Sequence, residues 1–112
     1  MKDERVYLLQ IQDCILKIEE FISGHDRASF SKDQKTQSAV ILQLLLIGEL
    51  SKHLSEKIRN EIPLPWKDII GFRDRAIHDY FNVDLDIVWE TVTRDIFEVK
   101  EQIERYFIST KI

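Results

Sequence analysis

Punctuation is scarce in this chain. Its 112 residues hold three Gly and two Pro. Backbone breaks are therefore few, and the elements between them must be long. The composition is strongly charged and rich in Leu and Ile, which suits long helices better than strands. The length fits one domain with its own core, 1–112, and is too short for two.

The apolar spacing divides the chain into four main helices. Leu8, Ile11, Ile15, Ile18 and Ile22 recur at gaps of three and four, which predicts a first helix over Lys2 to Ile22. Cys14 borders that seam as a small core hydrophobe; a lone Cys makes no internal disulfide and lacks the company for zinc. The segment SGHDRASFS reads as a loop, with His25 solvated in it. A second helix is expected from about Lys32 to Asn60, with Ser31 as N-cap and Gln34 completing a capping box. Its centre, AVILQLLLIGEL, is apolar on more than one face, so it is either the central helix of a bundle or a surface for another subunit. Glu61 to Pro65 connects to the next element. The last helix is expected from Leu85 to about Phe107, on a seam of Leu85, Val88, Val92, Ile96, Val99, Ile103 and Phe107. Short loops make these helices mostly antiparallel: an all-α, up-and-down bundle.

The stretch WKDIIGFRDRAIHDYFNVDLDIVW, Trp66 to Trp89, organises the rest. It reads as a helix of about four turns, a tight turn, and a new helix capped by Asp84, with Val83 and Val88 spaced as a hydrophobic staple. Ile69, Ile70, Ala76 and Ile77 share one stripe of the first helix, with Phe81 at its border. Arg73 falls near the centre of that stripe, and Tyr80 lies almost in line with it. A guanidinium cannot be neutralised, so this placement requires a carboxylate, a phosphate or a wet cleft. Glu49, on one stripe with Leu42 and Leu45, is the best intrachain partner. Asp74 and His78 are four apart, so the carboxylate can orient the imidazole.

These residues narrow the chemistry. There is no Gly-rich phosphate loop, no Cys/His metal cluster and no Ser or Cys nucleophile elbow. His53, one turn after Glu49, reads as a surface hydrogen bond rather than a metal pair. A net charge of −4 argues against general nucleic-acid affinity. The start MKDERVYLLQIQD has no signal-peptide core, and the run from Ala39 to Gly48 is too short to span a bilayer, so a soluble cytoplasmic protein is expected. Arg73 and His78 suit metal-free phosphodiester cleavage: Arg holds the phosphate and stabilises developing charge, and His moves a proton. RNA supplies its own nucleophile, the 2′-hydroxyl.

The stretch IGELSKHLSEKIRNEIPLPWKDIIGFRDRAIHDYFNVDLDIVWETVTRDI resembles the HepT-like branch of the HEPN superfamily. That superfamily carries an Arg, four to six residues beginning with a polar one, then His; the branch extends this to Arg-x4-His-x-Tyr. The matching positions are Arg73, Asp74, His78 and Tyr80. Where the family often has Asn after the Arg, this chain has Asp74, which adds negative charge beside the phosphate site. The resemblance implies an all-helical homodimer with the two motifs facing a shared cleft. It also implies a metal-independent RNase toxin without cofactor, paired with a minimal nucleotidyltransferase antitoxin that can attach AMP to Tyr80. A second reading remains: a non-catalytic helical binding subunit of a nucleotidyltransferase, with Arg73 in a structural ion pair.

Overall fold

The computed structural model describes residues 3–110. Among these no strand occurs, and the chain is a bundle of α-helices, as the scarcity of breakers dictates. Helix α1 spans Glu4–Ile22 and is capped by Asp3, whose carboxylate accepts the Arg5 N–H at 2.9 Å. Lys2, the expected start, lies outside the described residues. Leu8, Ile11, Ile15 and Ile18 are fully buried and Cys14 is buried beside them, so the predicted seam is the core face. Burial pushes the Cys14 thiol above its ordinary pKa, which keeps it protonated. Helix α1 ends at Ser23-Gly24, where Gly24 takes a φ of +81° that other residues avoid.

The segment expected to be a loop contains a helix, α2, Arg27–Lys32. Asp26 accepts the Ser29 N–H at 2.8 Å, and Ser29 Oγ accepts the Asp26 N–H at 3.0 Å, a reciprocal capping box. This buries Phe30 against Trp89, with ring centroids 5.1 Å apart. His25 is not merely solvated: its Nδ1 sits 2.9 Å from Ser29 Oγ and its Nε2 3.6 Å from Asp33. Helix α3 then runs Gln34–Lys52. Its cap is Asp33, which accepts the Thr36 N–H at 3.0 Å, and not Ser31, whose hydroxyl donates back to the Ala28 carbonyl.

The long second helix is therefore two pieces, α3 and a further helix. It stops at Lys52, and α4 begins afresh at Glu56–Glu61 because Ser55 caps it by accepting the Ile58 N–H. The Glu4 carboxylate reaches from α1 to accept the Ser55 N–H, so the break is held from outside. Tyr7 stacks on His53 at the same end, which makes α1 and α3 antiparallel. Leu54, Ile58 and Ile62 carry the core across this corner.

Helix α5, Trp66–His78, enters after Pro65 and is anchored by the Trp66 indole, which donates to the carbonyls of Arg59 and Ile62 at 3.0 Å each. It lies on α3 where Gly48 removes a side chain: a Cβ there would collide with Arg73 Cβ and come within 3.2 Å of the Ile69 carbonyl oxygen. The apolar stripe read on α5 is only partly buried. Ala76 is buried, Ile69 and Ile70 are half-buried, and Ile77 is exposed.

After a 3₁₀ turn at Tyr80–Asn82, Asp84 caps α6, Leu85–Glu90, accepting the N–H groups of Asp86 and Ile87. Val83 and Val88 both reach the core, as a staple would. The final helix continues through a π turn at Thr91–Asp95 into α7, Ile96–Ser109. Thr91 and Thr93 donate back to the carbonyls of Ile87 and Trp89, the local competition that loosens an α-helical ladder. The seam survives the extra residue, with Val88, Val92, Ile96, Val99 and Ile103 buried and Leu85 and Phe107 half-buried.

The Gly48 contact yields a test. Alanine normally stabilises a helix interior over glycine by about 0.5–1 kcal/mol. Here its methyl meets the root of a side chain on a packed helix, and overpacking of this kind costs about 1–3 kcal/mol. Gly48→Ala is expected to lower the thermal midpoint; an unchanged or raised midpoint places α5 too close to α3 in the present account.

Candidate functional site

Arg73 sits on the face of α5 that meets α3 beside Gly48, and it is mostly covered rather than fully buried. Its Nη2 lies 3.0 Å from Glu49 Oε1 on α3, and its Nη1 donates to Asp74 Oδ1 at 3.1 Å. The Glu49 contact is an ion pair whose alignment falls short of a hydrogen bond, leaving Oε1 shielded from water without a donor in line. The outer oxygen, Oε2, approaches His53 Nε2 at 3.3 Å. Asp74 in turn accepts a second cation, Lys52, at 3.5 Å. The Asp74 carboxyl is held below its ordinary pKa by the hydrogen bond from Arg73 first, then by Lys52. The negative charge that Asp74 brings to the motif is thus shared between two cations.

His78 is the last residue of α5 and exposed, and among the described residues its imidazole is engaged in no hydrogen bond or ion pair. It lines a cleft of about 540 Å³ between α5 and the start of α6, together with Asp74, Phe72, Asp79 and Ile87. Asp74 and His78 therefore share one cleft wall, as their spacing requires. Arg73 is not part of that wall. Five residues along a helix turn a side chain about 140° around the axis, so the two motif residues diverge within one subunit.

Tyr80 does not stay in line with Arg73. The α-helix ends at His78, Asp79 takes extended-side angles of −147° and 59°, and Tyr80 opens the 3₁₀ turn. Its ring is exposed and meets Phe81 edge-on at 5.9 Å, and Phe81 is itself almost wholly exposed at 97%. Neither ring belongs to the core.

Two contributors escaped the reading of the sequence. Lys52 binds Asp74, and Gly48 sets the approach of the two helices; both lie on one α3 face, four residues apart, flanking Glu49. A glycine inside an otherwise unbroken helical run was the available signal. Among the described residues no three His, Cys, Asp or Glu side chains cluster to hold a metal ion, and no helix is long and apolar enough to cross a membrane.

The ion network makes a titration prediction. Because the folded Asp74 pKa is depressed, its contribution to stability is complete above the unfolded carboxylate value, about 3.9, and is lost as pH falls through the lowered folded value. Carboxyl ¹³C shifts are expected to show Asp74 titrating below the ordinary aspartate value, and Arg73→Ala to move it back up. An Asp74 midpoint unmoved by that substitution removes Arg73 as the cause.

A profile of the family described as Ribonuclease HepT-like matches residues 11–106. Among curated proteins, the chain is 39% identical over 106 residues to a protein of Caldanaerobacter subterraneus subsp. tengcongensis provisionally named an RNase, covering 93% of this chain and 94% of that one. It is 38% identical over 105 residues to the probable ribonuclease HepT of Thermococcus cleftensis, covering 93% and 96%. A Methanocaldococcus jannaschii protein, also provisionally named an RNase, is 39% identical over 108 residues, covering 92% and 89%. No solved structure matches significantly.

Proposed function

The chain belongs to the HepT-like ribonuclease family, and from that premise we propose that it is a metal-independent endoribonuclease whose catalytic pair is Arg73 and His78. The observation that carries this reading is the placement of the pair inside the matched region, at the end of one helix, with His78 open and unengaged. In the proposed reaction an RNA phosphate takes the place of a carboxylate on the Arg73 guanidinium. The ribose 2′-hydroxyl attacks phosphorus, and His78 assists proton movement between the nucleophile and the leaving 5′-oxygen. The P–O5′ bond breaks, leaving a 2′,3′-cyclic phosphate, while Arg73 stabilises the charge that develops on the phosphoryl oxygens. Glu49 and Asp74 hold Arg73 in position before substrate arrives.

A site built from side chains that diverge by about 140° needs a second surface. We assign that surface to a homodimer, so that Arg73 of one subunit and His78 of the other face a shared cleft. Leu42 and Leu46 are exposed on the α3 face that carries Glu49, and Ile77 is exposed one turn beyond Arg73. That apolar surround is what a two-fold interface would cover.

The same reading makes the protein the toxin of a toxin–antitoxin pair whose partner is a minimal nucleotidyltransferase. AMP attached to the Tyr80 hydroxyl would set a bulky anion at the end of α5, competing for Arg73 and repelling RNA. Exposure of the Tyr80 ring supports access to such an enzyme. A non-catalytic subunit of the same pair is the second reading, favoured by the engagement of both Arg73 amino groups with carboxylates.

The test is cleavage of RNA by the purified protein with EDTA present. Wild type is expected to cleave and leave cyclic phosphate ends. Arg73→Ala and His78→Ala, each folded by circular dichroism, are expected to lose at least about a hundredfold in rate. Undiminished cleavage by His78→Ala overturns the mechanism, and a wild type that binds the nucleotidyltransferase without cleaving RNA selects the second reading.

A further inference from the structure

Helix α5 packs chiefly on α3, which leaves a groove between α5 and the α6–α7 helix. Beyond the cleft lined by His78, the groove continues as a second cleft of about 410 Å³. Leu44 and Ile47 of α3 form its floor, Ile69 and Phe72 one wall, and Ile96 and Val99 the other. Phe72, Arg75 and Ile87 belong to both clefts, so the two are one continuous channel along α5. Ile87 stands in it half-exposed, at 56%, a large apolar side chain with no cover.

The charge on the rim is one-sided. Asp68 stands on the α5 side and Asp95 and Glu98 on the other; all three are exposed and, among the described residues, engaged in no ion pair. Among the described residues Arg75 is the one cationic residue lining this second cleft. Phosphate is repelled by such a rim, so the groove does not extend an RNA site. An apolar floor between two helices under unpaired carboxylates instead matches an amphipathic helix carrying Lys and Arg at its flanks. Ile69 and Ala76, which line the second and the first cleft, lie two turns apart on α5.

We propose that the groove between α5 and α6–α7 is a docking site for a basic amphipathic helix of a partner protein, with apolar anchors seated over Phe72 and Ile87 and cations against Asp68, Asp95 and Glu98. This goes beyond the ribonuclease reading and does not require it. A helix seated there also abuts the cleft that His78 lines.

The experiment uses the full chain with labelled isoleucine methyl groups and a synthetic amphipathic peptide, Leu at i, i+3 and i+7 and Lys between them. The control peptide has Glu in place of Lys. The Lys peptide is expected to shift the methyl signals of Ile69, Ile87 and Ile96 but not that of Ile108, exposed elsewhere on α7. Asp95→Lys combined with Glu98→Lys is expected to weaken binding about tenfold, because it reverses two rim charges. Equal binding of the Glu peptide, or shifts absent from the groove or spread to Ile108, overturns the proposal. Groove signals that move on dilution of the protein alone assign the groove to a second copy instead, and also overturn it. If the double variant melts early, the two peptides on the wild type decide the matter.

Discussion

The crossing of α3 and α5 at Gly48 is the constraint on which the candidate site depends. Without a side chain at that position, α5 settles close enough for Arg73 to reach Glu49 across the interface. The cation is thereby fixed at a helix crossing, where its stem is packed and its head meets carboxylates instead of bulk water. Asp74 and Lys52 extend the contact into an alternating row of charges. Each pair is partly solvated, so the row contributes little to stability singly; its effect is to orient one guanidinium. In the proposed reaction a substrate phosphate has to compete with carboxylates already in place. That competition sets a threshold for binding in a protein of net charge −4.

Much of this was legible in the residues. The seams of Leu8 to Ile18 and of Val88 to Ile103 are the buried faces, because helical periodicity and one-sided burial are the same fact seen twice. The partner of Arg73 was legible for a related reason: a cation on an apolar stripe has few choices, and Glu49 lay on the facing apolar helix. The breaks were harder. A short helix from Arg27 to Lys32 is signalled by the Asp26–Ser29 box alone, and the break after Lys52 is held at Ser55 by Glu4, fifty-one residues before Ser55 in the chain. The π turn likewise leaves the seam intact, so periodicity does not register it. At the site, extrapolating the α5 register to Tyr80 failed because the helix ends two residues earlier at His78, where Asp79 leaves the helical region.

That ending has a consequence for chemistry. Asp74 and His78 face one cleft, whereas Arg73 faces α3, so one subunit presents the two halves of the motif to different sides. In the proposed function a second subunit, seated over the exposed Leu42, Leu46 and Ile77 around Arg73, completes the site. The acidic groove behind α5 continues from the cleft that His78 lines and has the opposite electrostatic preference. A basic partner segment seated there would border the His78 side of the proposed RNA site.

Complementation between two inactive variants tests this account most directly. Arg73→Ala and His78→Ala subunits, mixed and re-equilibrated, would form dimers in which one cleft joins an intact Arg73 to an intact His78. The account predicts that RNA cleavage returns to about a quarter of the wild-type level, from one restored cleft in each statistically formed mixed dimer. Mixed dimers that form, as seen by mass, yet cleave no better than either parent would contradict it.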